Sequence, residues 1–244
     1  MSLPVFLSAG VTGTAVGALV GLDGDEARHA VVVRRIRVGE RIVLTDGAGT
    51  AATCEVVASD KASLTGRVEA VRQEPPEEPR LTVVQAIPKG DRAELAVEVL
   101  TEVGVDRIVP WAATRCVAVW RGDRATRSLA KWRTTAREAA KQARRVWFPE
   151  VTGPAGTAEV AALLASADLA VVLHEDAGVP LAGLTVPERG SVVVVVGPEG
   201  GITDEELAAF STAQVARMGG SVLRTSTAGV AAVAALLART PRWR

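Results

Sequence analysis

Three short loops hold the residues of this chain whose types and spacing bear on chemistry. The first is "GPEGG", Gly197 to Gly201, which follows the apolar run "SVVVVV". Its glycines leave a turn bare of side chains, so main-chain amides and carbonyls can approach a bound molecule closely. The order G-x-x-G-G is not the G-x-G-x-x-G of a dinucleotide site, and no GK[ST] follows to cradle a triphosphate. Pro198 also removes an amide where a phosphate would need a donor. A tight fold-back and a ligand loop both stay open. The second loop, "MGGSVLRTSTA" (218–228), sets Arg224 just before Ser226 or Thr227, either of which can cap the Ala-rich helix that follows. Capping does not account for the arginine. The third, "LHEDAG" (173–178), ends another apolar strand with Leu173, His174 and Glu175. If their strands are neighbours, the three loops form one crevice, which is where α/β folds place ligands.

The elements that must carry these loops can be read from patterning. "LTVVQAI" (81–87), "RIVPW" (107–111), "LAVVLHE" (169–175) and "SVVVVVG" (191–197) are apolar strands. Helical stretches lie between and after them, at about 91–103, 123–145, 157–166, 203–213 and 227–239. Apolar strands alternating with helices predict an α/β domain with a parallel sheet covered on both faces. Thr203 and Glu206 have capping-box spacing, and Ile202 and Leu207 that of a hydrophobic staple, so the acids at 204–206 need no catalytic role. Residues 1–73 read instead as short strands, with "TDGAG" (45–49) as a hairpin turn, and predict a small β-barrel or sandwich. "QEPPEEPR" (73–80) is a proline-rich, acidic connection, giving a linker at 74–80 and a second domain at 81–244.

Composition narrows the function classes. No apolar run in the 244 residues approaches the ~20 of a membrane span. Two histidines, His29 and His174, and two isolated cysteines, Cys54 and Cys116, predict neither a metal site nor a disulfide framework, and point to the cytoplasm. Formal net charge is zero, yet ten Lys or Arg and only two acids lie between Arg115 and Arg145. Arg127, Lys131, Lys141 and Arg145 recur there at helical spacing with Trp132 and Trp147 nearby, and Arg28, Arg34, Arg35, Arg37 and Arg41 form a second cluster. Patches of this kind, not totals, let a polyanion dock.

Taken together, "GPEGGITDEEL" and "MGGSVLRTSTA" resemble the SPOUT class of RNA methyltransferases, and within it the family that methylates N3 of a uridine in 16S ribosomal RNA. "KGDRAELAVEVLTEVGV" (89–105), "KWRTTAREAAKQARR" (131–145) and "LHE" agree with it, and "RHAVVVRRIRVGE" (28–40) is similar to that family's PUA-like RNA-binding domain. The chain departs from the pattern at Gly219–Ser221, at Ala143 and in "MSLPVFLS", which lacks an arginine common there. The resemblance implies a SPOUT-type parallel-sheet domain with a trefoil knot, a PUA-like β-barrel at 1–73, and a homodimer. It implies S-adenosylmethionine held by Leu173, His174, Glu175, Gly197, Pro198, Glu199, Gly200, Gly201, Met218, Gly219, Leu223, Thr225, Ser226, Thr227 and Ala228. The RNA partner, 16S ribosomal RNA or the small ribosomal subunit, is expected on Arg28, Arg34, Arg35, Arg37, Lys89, Arg92, Arg137, Lys141, Arg144 and Arg145. For chemistry at a uracil nitrogen, Arg224 is the candidate to stabilise developing negative charge and Glu199 the candidate base. Competing readings are a methyltransferase of another RNA, such as transfer RNA or 23S ribosomal RNA, and a non-catalytic RNA-binding assembly protein.

Overall fold

The computed structural model describes residues 3–90 and 92–243; residue 91, where a helix was expected to open, and both extreme ends lie outside them. The chain divides into two compact units, Met1–Pro76 with Ala140–Phe148, and Glu77–Ala139 with Pro149–Arg244.

In the first unit, five strands form a sheet in the order β1-β3-β4-β5-β2: β1 (Val5–Leu7), β2 (Leu19–Asp23), β3 (Arg41–Thr45), β4 (Thr50–Asp60) and β5 (Ser63–Gln73). β1 runs parallel to β3, and the other pairings are antiparallel. Alternation turns Ile42 and Leu44, then Ala52, Cys54 and Val56, into one apolar cluster with Phe6, Leu22, Leu64 and Val68. The expected hairpin turn joins β3 to β4. Asp46 Oδ1 accepts from the amides of Ala48 (2.8 Å) and Thr50 (2.9 Å), and Gly47 and Gly49 take φ of +70° and +101°. A short helix α1 (Gly24–Arg28) runs into a π-type turn at His29–Val33. The segment 140–148, distant in sequence, completes this unit: Trp147 lies across Gly49, its Nε1 donating to the Glu74 carbonyl at 2.9 Å.

The second unit is a seven-stranded parallel sheet in the order β10-β12-β9-β11-β6-β7-β8. Its strands are β6 (Arg80–Ala86), β7 (Arg107–Trp111), β8 (Glu150–Val151), β9 (Leu169–Leu173), β10 (Val179–Pro180), β11 (Ser191–Val196) and β12 (Gln214–Arg217). The helices are α2 (Arg92–Glu102), α3 (Gly122–Gln142), α4 (Thr157–Ala165), α5 (Asp204–Ala209) and α6 (Thr225–Leu237), the end of α3 falling in the first unit. β11 shows why its valines are continuous. Val192, Val194 and Val196 face a layer with α2 and α6, while Val193 and Val195 face one with α4 and Phe210. Both faces of the sheet are covered, as its patterning required. The strands β8, β10 and β12 were not expected, and helix 203–213 stops at Ala209 to make room for β12, a polar tetrapeptide in which only Ala216 is buried. α6 opens at Thr225 with Arg224 as its N-cap residue, not Ser226 or Thr227, because the Arg224 carbonyl already accepts from the amides of Thr227 and Ala228 at 2.9 Å.

Candidate functional site at one edge of the parallel sheet

β12, β9, β11 and β6 lie side by side and parallel, so the loops after them leave from one edge of the sheet. Those after β9, β11 and β12 are the three loops singled out by their residues. Within "GPEGG", the Gly201 amide donates to the Pro198 carbonyl at 2.9 Å and closes a turn with Gly201 at φ +77°. A Cβ on Gly197 would stand 2.7 Å from Ile202 Cγ1, and one on Gly200 3.0 Å from Arg115 Cβ. Neither position accepts a side chain without displacement. Pro198 is buried and Glu199 exposed.

The helix start after the turn is the capping box that Thr203 and Glu206 predict. Glu206 N donates to Thr203 Oγ1 at 3.2 Å, and Thr203 N to Glu206 Oε2 at 3.0 Å. Ile202 and Leu207 share one apolar cluster beside it. Glu206, only 3% exposed, has a further role. Its Oε1 accepts from the Thr114 amide (2.8 Å) and the Thr157 hydroxyl (3.4 Å), tying two distant segments to the loop. Next to it, Arg115 Nη1 donates to the Gly200 carbonyl at 3.2 Å. The exposed carboxyl of Glu205 is held below its ordinary range by its own backbone amide, then by the Thr203 hydroxyl. Burial pushes the nearby Cys116 thiol up.

In the loop after β9, Leu173 and His174 are half-buried and Glu175 exposed. His174 donates its amide to the Ala216 carbonyl at 3.0 Å, and its Nδ1 accepts from the Asp176 amide at 3.2 Å, so the ring is engaged within its own loop. In the loop after β12, Met218 packs on the core, Gly219 takes φ of +112°, and Val222, Leu223 and Arg224 are exposed. Thr225, Ser226 and Ala228 are buried and Thr227 half-buried at the start of α6. Gln85, at the same edge of β6, donates to the Thr225 carbonyl at 3.2 Å, while its Oε1 and the Ser226 hydroxyl are buried with no partner among the described residues. Buried polar atoms are rarely left so. Gln85, Thr114 and Arg115 escaped the sequence reading. Only Gln85 left a sign, as the polar residue of an apolar strand.

The cations divide. Arg28, Arg34, Arg35 and Arg37 are exposed in the first unit, and Lys89 and Arg92 in the second. Arg137 sits 3.5 Å from Glu138 on its own helix, Arg144 is exposed, and Arg145 is half-buried. Lys141 differs from the other cations in being buried: its side chain is 3% exposed and its ammonium lies 2.7 Å from Glu26 Oε1. Lys131 pairs with Glu94 at 2.9 Å and Arg133 donates to the Val151 carbonyl at 3.0 Å. Arg121, Arg124 and Arg127 are exposed and make no ion pair among the described residues. The two tryptophans are structural as well, Trp132 being buried edge-on to Trp120 with ring centroids 5.0 Å apart.

Comparison with known proteins identifies the family and the fold. The RNA methyltransferase domain family matches residues 76–237, and the RNA methyltransferase PUA domain family matches residues 22–69. The chain is 44% identical over 233 residues to the ribosomal RNA small subunit methyltransferase E of Mycobacterium bovis, covering 93% of this chain and 89% of that one. It is 27% identical to the Bacillus subtilis protein of the same name, covering 90% of each. The crystal structure of a ribosomal RNA small subunit methyltransferase E from Neisseria gonorrhoeae, bound to S-adenosyl methionine, superimposes with a TM-score of 0.88 at 30% identity, over 98% of both chains.

Proposed function

The chain belongs to the ribosomal RNA small subunit methyltransferase E family, and on that premise we propose that it methylates N3 of a uridine in 16S ribosomal RNA, using S-adenosylmethionine, as a cytoplasmic homodimer. The observation that carries the reading is the meeting of the loops after β9, β11 and β12 at one edge of the sheet. The residues there fit a methyl donor built on adenosine. Gly197 and Gly200 keep the turn free of side chains, Leu223 offers exposed apolar surface, and Gln85 Oε1 and Ser226 Oγ are buried polar atoms without partners among the described residues. Backbone groups of 173–175, 197–201 and 218–228 would hold the donor, which when bound supplies a methyl group activated on a sulfonium.

What remains for the side chains is alignment and charge. Uracil N3 carries a proton at neutral pH that must leave as the new bond forms. Arg224 is exposed at the head of α6 and makes no ion pair among the described residues, so its guanidinium is available to the uracil oxygens as negative charge builds on them. Glu199 is the one carboxylate in the GPEGG turn and the candidate to take the N3 proton. The test is incubation with labelled S-adenosylmethionine and a mixture of small subunits, large subunits and transfer RNA from cells lacking the gene. One methyl group on one uridine of 16S RNA, located by mass mapping, is expected. Label appearing only in transfer RNA or 23S RNA, or nowhere, would overturn the reading.

A further inference from the structure

The first unit holds a cleft of about 70 Å³ that the methyl-donor site does not use. Its walls come from three stretches far apart in the chain: Leu3 to Phe6, then His29 with Arg34, then Lys141, Gln142 and Arg144. Behind one wall, Glu26 is fixed, with Oε1 2.7 Å from the Lys141 ammonium and Oε2 accepting from the Leu7 amide at 3.3 Å. That pair is neutral. Arg34 and Arg144 are exposed and make no ion pair among the described residues, and no carboxylate lines the cleft. The lining therefore carries two arginines with no facing carboxylate among the described residues, which raises the local potential for anions. The His29 ring stands edge-on to Phe6, with centroids 6.1 Å apart, and shapes the opening.

Backbone conformation singles out the same place. Arg144 and its neighbour in the Arg34 stretch, Arg35, are the described non-glycine residues at positive φ, both at 57°. Left-handed backbone is costly for a residue with a Cβ and tends to persist at functional sites.

We propose that this cleft takes one backbone phosphate of the RNA, held by the guanidinium groups of Arg34 and Arg144; the assignment rests on the RNA substrate of the preceding reading. The cleft is small, about 70 Å³, and suits a single anionic group such as a phosphate. The bidentate fork of arginine suits phosphate oxygens. Free phosphate shares that chemistry, but Arg28, Arg35 and Arg37 continue the cationic surface along the same segment. A single ion has no use for such a track, and a strand of phosphates does.

The experiment compares the full-length chain with Arg34→Gln, Arg144→Gly and the double variant, titrating 16S ribosomal RNA at several salt concentrations. Each phosphate contact contributes about 0.7–0.9 to the slope of log K against log[salt]. Because the two arginines share one phosphate, the double variant is expected to flatten the slope by about 0.7–0.9 and each single variant by part of that, with calorimetric affinity for S-adenosylmethionine unchanged. Arg144→Gly removes the Cβ from a left-handed position, so its melting temperature should stay level or rise while its RNA binding weakens. A merely structural role predicts no such split. Unchanged slopes in folded variants overturn the proposal, as does inorganic phosphate bound at these arginines with RNA binding unaltered. A wild-type chain that binds S-adenosylmethionine but not RNA also overturns it; one that binds neither removes the broader functional reading too.

Discussion

At the scale of single residues, Arg224 and Glu206 make opposite predictions. Arg224 is exposed and touches the fold mainly through its backbone, its carbonyl accepting from the amides of Thr227 and Ala228. Replacing it with alanine is expected to cut turnover by about 10²-fold or more, the scale of one lost donor to developing negative charge, while calorimetry still shows donor binding. Unaltered turnover would remove Arg224 from the chemistry. Glu206 is buried and accepts from the amides of both Thr203 and Thr114. Glu206→Ala strands those two donors, at about 1–3 kcal/mol each, so urea unfolding should show a loss of about 2–6 kcal/mol. A loss below 0.5 kcal/mol would mean that water replaces the carboxylate without penalty. Only half of this residue was legible. The bond to Thr203 is local, so three-residue spacing reveals it; the bond to Thr114 spans 92 positions, and no periodicity in either segment points to the other. Arg115 was hidden for the same reason: in the sequence it is one more cation of a basic stretch, whereas in the fold it braces the Gly200 carbonyl.

At the scale of elements, the long apolar segments were legible and the short polar ones were not. β6, β7, β9 and β11 follow their apolar runs within about two residues, because strands buried on both faces need unbroken apolar sequence. β12 is "QVAR", whose membership depends on pairing with Leu173 and its neighbours more than on its own composition. The "TDGAG" turn was readable from residue types, and two tests follow from its structure. A Cβ on Gly49 would stand 2.6 Å from Trp147 Cζ2 and 2.7 Å from the Glu74 carbonyl, at a φ of +101°. Overpacking and left-handed backbone together put Gly49→Ala at about 2–4 kcal/mol of destabilisation, read from denaturant midpoints. A change under 1 kcal/mol would show that the indole moves freely. Asp46 is held below the ordinary carboxylate range: partial burial opposes ionisation, but the Ala48 and Thr50 amides with the Thr50 and Thr12 side chains outweigh it. A carboxyl with a depressed folded pKa adds stability that is fully present above its unfolded value and is lost as pH falls through the folded one. Asp46→Asn should therefore cost stability at neutral pH, and the difference from wild type should shrink on acidification below about pH 4. A difference independent of pH would assign the turn's stability to its glycines.

At the scale of the whole molecule, patterning predicted two architectures but not the order of the parallel strands. Periodicity identifies a strand without naming its neighbours. The three polar loops offered the only clue, since they make one crevice only if β9, β11 and β12 are adjacent, and β9 does lie between the other two. Net charge is as uninformative about placement, zero overall while the exposed arginines gather locally. Exposed apolar residues of the second unit carry the last prediction. Val117 (62%), Val179 (47%), Val222 (76%) and Trp243 (51%) are left in water by a single chain, and large exposed apolar residues mark surfaces that a partner covers. Two of them bear on the site, because Val222 belongs to the loop after β12 and Val179 to β10, which pairs with that strand. A second copy seated there would bury both and steady the loop leading to Arg224. Light scattering at micromolar concentration is expected to give about twice the 25.3 kDa of one chain, and Val222→Asp to shift the mass toward one chain and weaken donor binding together. A monomeric wild-type chain that still binds the donor would show that the loop needs no partner.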